Sequence, residues 1–363
     1  MLASLMATQN KIISNPILPR GTTITNTDIS RAGLTYPSAN MILVSDNKGI
    51  VLFSKSTASY HVYGFSFIIN SDNSLTIGTE VLISSGAVYG GILATKYDTD
   101  KALIFLYANG RTYTSILHIS ESNTITQTHD TVITNLSVVE SSKEAVSMLH
   151  MVSSTKAIAN SSYMTYGLTI NTSNITVTSL SGPRFMSPQR LDGLKFIAKN
   201  DTLINGVADI SLSDFSRSYG TLMTMDHAYN DCFAVLSPTR VLQFRKISGN
   251  IYTFRTHLIN VNPDNSTTIL STNYDIGQCT YDSHISALVI NPNLVAVIYQ
   301  DKTSYYAMLR YITINGDNTL SIGSAIQLSN NQYYSYQYVH RKLNDNATIM
   351  FVWGDKQLRL IAT

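Results

Sequence analysis

Short stretches in which apolar and polar residues alternate run the length of the chain, and none shows the three-to-four spacing of an amphipathic helix. Three of them are near copies of one another: FIINSDNSLTIG (67–78), LINVNPDNSTTIL (258–270) and YITINGDNTLSIG (311–323). Each is an alternating run, an Asp-Asn turn and a second alternating run. Asn and Asp tolerate the left-handed backbone and bond to their own main chain, so each segment predicts a β-hairpin. Weaker copies are HISESNTIT (118–126), LTINTSNITV (168–177) and SRSYGTLMTM (216–225). The apolar residue after each turn marks the repeat at Ile24, Leu75, Ile125, Ile175, Leu222, Ile269 and Leu320, in steps of 47 to 51 residues. Two further apolar runs precede each hairpin, such as NMILVSD and GIVLFSK before Leu75, which makes four strands per repeat.

The two ends complement each other. After Leu320 the pattern gives three more strands and stops, while the first strand, near 22–26, stands alone without three before it. A ring closed by pairing these ends would leave no exposed sheet edge there. Four-stranded repeats with a three-plus-one closure resemble seven-bladed β-propellers over residues 18–363. The expected fold is therefore all-β: a seven-bladed β-propeller with four antiparallel strands per blade and a last blade completed by the N-terminal strand. Residues 17–363 form the propeller domain, and residues 1–16 are an N-terminal extension that the ring does not need. Blade four is the irregular one, because two prolines precede its hairpin and the hairpin lacks clean alternation. The Gly-His and Trp-Asp pairs of Trp-Asp repeats, the double glycine of kelch repeats and the Trp-rich blades of bacterial propeller lectins are absent; Trp353 is the single tryptophan.

Composition narrows the function. Charged residues are 13% of the chain, and 25 Lys and Arg against 23 Asp and Glu give a net charge of +2, so the surface is polar through Ser, Thr, Asn and Tyr. No basic cluster supplies the field that nucleic acid or anionic lipid requires. No run of about 20 apolar residues is present, which argues against membrane insertion by a helix. The first charged residue is Lys11, so the N-terminus makes a poor secretory signal. Cys232 and Cys279 read as free core residues. No histidine pair has metal-ligand spacing, there is no Gly-x-Ser-x-Gly elbow, and the Asp-Asn turns lack the spacing and terminal Glu of a calcium loop. No cofactor or metal, and no enzyme, is expected. A glycan-degrading pair of carboxylates would have to converge from residues such as Asp98, Asp100, Asp231 and Asp282.

One feature recurs in register with the repeat: a tyrosine shortly before the first strand, at Tyr36, Tyr89, Tyr229, Tyr281 and Tyr333 with Tyr334. Such residues fall on the blade-to-blade connections and would ring one face, where a flat ring carrying a hydroxyl suits adaptable polar recognition. Together with Arg190, Asp231, Asp282 and His284 they form the candidate ligand-binding set; packing between blades is the competing reading. An uncharged, Ser/Thr/Asn/Tyr-rich β chain of this kind resembles phage and phage-derived tail and receptor-binding proteins. That resemblance implies a non-enzymatic recognition module on a virion or extracellular particle. One face would bind a host surface glycan or protein, and residues 1–16 would anchor the chain to other virion or tail proteins. The alternatives are a decoration or scaffold subunit and, less favoured, a glycan-degrading enzyme. Homo-oligomerisation is left open.

Overall fold

The computed structural model describes residues 19–29, 39–55, 60–86, 88–108, 111–133, 146–161, 165–171, 174–180, 186–192, 195–199, 204–210, 217–219, 223–224, 228–247, 252–279, 285–329, 338–344, 347–352 and 357–363. These residues form seven antiparallel sheets of four or five strands, met in chain order. The sheets are blades 1 to 7. Their first strands are Ala39–Leu43, Val88–Asp98, Val146–Met151, Met186–Asp192, Ala228–Ser237, Ser286–Asn291 and Tyr338–Asn344. Each first strand contacts the first strand of the next blade, and that of blade 7 contacts that of blade 1. The first strands are thus the innermost, and they line a closed ring. The fold is a β-propeller.

Closure follows the three-plus-one scheme. Thr23–Asp28 pairs with Gln357–Ala362 and so becomes the outermost strand of blade 7. The joint is extended by main-chain bonds from Gly21 to Ala362 and from Ala362 to Thr22, at 2.8 and 2.9 Å. The proposed extension, residues 1–16, lies outside the described residues.

Where their side chains are described, the blade faces are apolar because they pack on a neighbour. Met41, Val51, Phe53 and Phe65 of blade 1 share one core with Ile349, Phe351, Leu358 and Leu360 of blade 7. Equivalent cores join blades 1 and 2, 2 and 3, 5 and 6, and 6 and 7. A middle strand is covered on both faces, so its sequence loses the alternation of a half-exposed strand: Leu294–Gln300 is buried at every position.

The Asp-Asn turns, and the Ser-Asn turn of blade 2, reverse the chain as their sequence requires. Asn73, Asn123, Asn265 and Asn318 all have positive φ, between 58° and 66°. In the first, Asp72 Oδ1 accepts bonds from the Ser74 amide and hydroxyl, which hold its carboxyl below the ordinary value; Asp264 and Asp317 repeat this with Ser266 and Thr319. The turns also bind blade to blade. Thr25 of blade 7 donates to the Asn73 carbonyl of blade 1, Ser66 of blade 1 to the Asn123 carbonyl of blade 2, and Arg240 of blade 5 to Asn318 Oδ1 of blade 6. In each case the preceding blade supplies the donor.

Gly78 sits at the second of these clamps. A Cβ there would lie 2.2 Å from the Asn123 carbonyl oxygen and 2.4 Å from Ser66 Oγ, whereas at the equivalent Gly323 the nearest atom would be 3.0 Å away. Gly78→Ala must therefore push blades 1 and 2 apart or break the Ser66 bond. It is expected to lose about 2–3 kcal/mol of stability. Gly323→Ala should lose about half as much, and denaturant unfolding of the two variants checks the contrast.

Two details depart from the sequence reading. In blade 4 the third strand, Ile204–Ile210, pairs first with Arg217–Tyr219 and then with Met223–Thr224, so Leu222 is not the residue that follows the turn. The misreading arose because no Asp-Asn pair marks that turn. The outer strands of blades 1 and 6 are likewise broken in two, with both pieces on one partner.

Candidate functional site

The inner strand of blade 7 reads Tyr-Val-His-Arg-Lys-Leu-Asn (Tyr338–Asn344) and alternates in facing. Val339 and Leu343 pack on the core shared with blade 1. His340 and Lys342 turn the other way, onto blade 6: His340 bonds the Ala287 backbone, and the Lys342 ammonium bonds the Ile290 carbonyl. Arg341 is in register with Val339 and Leu343. A guanidinium thus occupies a position at which the period of the strand calls for an apolar residue.

Arg341 Nη2 donates to Asn40 Oδ1 at 3.2 Å, and Nη1 donates to the His340 carbonyl at 2.9 Å. Asn40, on the inner strand of blade 1 and 9% exposed, donates in turn to the Ile92 carbonyl of blade 2 at 3.0 Å. One hydrogen-bonded run therefore crosses the inner strands of blades 7, 1 and 2. Burial pushes the Arg341 guanidinium down to about 10, and its charge together with burial pushes the fully enclosed His340 down to about 3. His340 Nε2 has no partner among the described residues.

Four cations of the described residues face carboxylates, Lys48 with Asp100, Lys55 with Glu80, Lys101 with Asp98 and Arg255 with Asp275, whereas Arg240, Arg310 and Arg359 meet neutral acceptors. Arg341 faces none of these carboxylates. A half-buried guanidinium with two neutral acceptors and spare N–H donors has the chemistry to pair with an anion, because a partly desolvated charge is most stable when it is paired.

Of the residues singled out in the sequence, Tyr89, Arg190, Tyr229 and Asp231 lie on the inner strands of blades 2, 4 and 5. Tyr89 and Tyr229 are the second residues of these strands, inside them and not on the connections before them. Tyr36, Tyr281, Asp282, His284, Tyr333 and Tyr334 lie outside the described residues. Asp98 and Asp100 sit at the first turn of blade 2 and pair with Lys101 and Lys48. Among the described residues no group of three His, Cys, Asp or Glu side chains is placed to hold a metal. Cys232 and Cys279 form no disulfide among the described residues. Arg341 and Asn40 escaped the sequence reading, although Val-x-Arg-x-Leu in a predicted strand carried the signal: a charge in the apolar register.

The fold and this wall of inner strands define a β-propeller with a basic position on its central ring. No family model matches the chain, and no curated protein is similar to it in sequence. Solved structures similar to it include a putative 6-phosphogluconolactonase from Bacteroides uniformis, with TM-score 0.58, 11% identity and coverage of 80% of this chain and 85% of that one. The Nup133 β-propeller domain of Vanderwaltozyma polyspora matches with TM-score 0.58 and 12% identity over 96% of this chain and 100% of that one. The periplasmic gluconolactonase PpgL of Pseudomonas aeruginosa matches with TM-score 0.56 and 8% identity over 82% and 88%. At such identities the likeness is one of fold.

These comparisons overturn the expectation of a virion or tail-like recognition module or particle subunit. The propellers named are lactonases and a nucleoporin, and none is a particle protein. The physical reason lies in what composition reports. A Ser/Thr/Asn/Tyr-rich surface describes how the ring is solvated, and carries no information about what the ring binds. The same fold carries hydrolases and nucleoporins, so fold by itself assigns neither role.

Proposed function

We propose that this propeller binds a small organic anion, a carboxylate or phosphate ester of a sugar acid, on the wall of its central ring through Arg341, with Asn40 holding the guanidinium in place. The observation that carries this reading is the desolvated guanidinium without a carboxylate among the described residues. The Asn40 bond fixes one edge of its plane, and the remaining N–H donors suit the paired oxygens of a carboxylate or phosphate. The sugar-acid class is favoured by the lactonases among the structural neighbours, whose names specify gluconolactone and its 6-phosphate.

Calorimetric titration with gluconate and 6-phosphogluconate tests the proposal. Arg341→Met is expected to weaken binding at least about 30-fold, the effect of losing one buried charge-assisted contact. Its thermal midpoint should hold or rise, because Met fits the apolar stripe of Val339 and Leu343 better than an unpaired cation does. Failure of the wild type to bind either anion, or equal binding by the variant, would refute it. Hydrolysis of the corresponding lactones by the wild type and not by Arg341→Met would support a second reading, lactonase activity, which the same neighbours favour.

A further inference from the structure

A cavity lies away from Arg341, in the seam between blades 1 and 2. Its volume is about 220 Å3, below the roughly 300–1,000 Å3 of drug-sized sites, so its occupant is small. The floor is apolar, formed by Ile83 at the end of blade 1 and by Ile104 and Leu106 on the second strand of blade 2. The walls are polar and carry no charged side chain: Ser84, Ser85, Tyr113, Ser115 and Gln127.

The hydrogen bonds divide this lining into used and unused groups. Ser115 donates its proton to the Thr128 carbonyl at 2.9 Å, which leaves its oxygen lone pairs as acceptors. Ser84 Oγ accepts from the Gly86 amide at 3.2 Å, which leaves its proton to donate. The Tyr113 and Gln127 side chains, a phenol and a carboxamide, line the same cavity. The cavity therefore offers donors and acceptors around an apolar floor, without the charge that an ionic ligand would demand. Hydroxyl and amide groups in such a setting are best satisfied by an occupant with alternating donors and acceptors of its own.

We infer that this seam is a binding site for a small neutral polyol, whose C–H face rests on Ile83, Ile104 and Leu106 while its hydroxyls meet Ser84, Tyr113 and Gln127. The chemistry differs from that of the ring wall, where the ligand is an anion. The two sites are independent, so either can fail without the other.

High concentrations of polyols stabilise most proteins by exclusion from their surfaces, so a shifted melting temperature decides nothing. The experiment is ligand-observed saturation-transfer NMR with xylitol and with glucose at low millimolar concentration. The proteins compared are the wild type, Gln127→Leu, Tyr113→Phe and Arg341→Met. Wild type and Arg341→Met are expected to give the same signal and affinity, whereas Gln127→Leu and Tyr113→Phe should each weaken binding about three- to tenfold. Gln127 lies on the half-exposed outer strand of blade 2, and its replacement leaves the blade cores intact. No signal with either polyol in the wild type, or a signal unaltered in both seam variants, overturns the inference. Loss of the signal in Arg341→Met alone would place the polyol at the ring wall and overturn it too.

Discussion

Truncation of the chain to begin at Ile29 is expected to cost about 4 kcal/mol or more and to turn the protein into a concentration-dependent oligomer. The deleted strand, Thr23–Asp28, is the outer edge of blade 7, and its loss bares the main chain of Gln357–Ala362. Leu358 and Leu360, fully buried in the intact ring, lose the cover of Ile24, and Ile29, only 4% exposed, loses its anchor. Removing one or two such aliphatic side chains from a core accounts for about 2–5 kcal/mol, and the ladder and the Thr25 to Asn73 bond add to it. An unpaired strand is a template for another chain, so the truncated protein should associate. A synthetic peptide of residues 19–29 should restore the monomer. Sedimentation velocity with and without the peptide, alongside denaturant unfolding, measures both effects. A truncated protein that stays monomeric with an unchanged midpoint would show that the closing strand does not hold the ring.

Acid should weaken the intact protein through His340. Its folded pKa, about 3, lies well below the ordinary 6.5, first because it is buried and second because Arg341 is beside it, against a smaller opposing hydrogen bond to the Ala287 backbone. The native state therefore binds fewer protons than the unfolded state between these values. Its contribution to stability is fully present above pH 6.5 and is lost progressively as pH falls toward 3. At about 1.4 kcal/mol per unit, the full span amounts to about 5 kcal/mol. In His340→Gln the amide still donates to Ala287 and nothing titrates, so the fall in stability between pH 6.5 and 4 should shrink by about one proton's slope. Unfolding by urea at several pH values in this range, compared between the two proteins, isolates the residue because the other histidines are common to both. Identical slopes would sink the assignment.

His340 and Arg341 also explain why the candidate site was hard to read from sequence. Strand periodicity placed a strand over these residues, but a period of two says only that neighbours face opposite ways. That His340 faces Ala287 of blade 6 and Arg341 faces Asn40, more than 300 positions away in the chain, depends on which blades flank the last one. The tyrosines were conspicuous for recurring in register, yet recurrence in a repeat is equally what packing produces. Arg341 recurs nowhere, and repetition is the wrong signal for a site at one place on a ring.

The sequence by itself determined the blade. Asn73, Asn123, Asn265 and Asn318 force left-handed turns that no longer-range contact is needed to specify, and the unbroken apolar run from Leu294 to Tyr299 announces a strand covered on both faces. The complementary ends likewise dictated the closure, since local pattern alone shows three strands at one terminus and one at the other. Tertiary structure decided what the local pattern leaves free. Only the ring shows that the asparagine turns double as clamps between blades, that Gly78 is small because the Asn123 carbonyl arrives there, and that Arg341 is left desolvated beside an amide. Those properties come from atoms that neighbouring blades bring together, and for Thr25 with Asn73 and Arg341 with Asn40 the distances do not exist until the seventh blade meets the first.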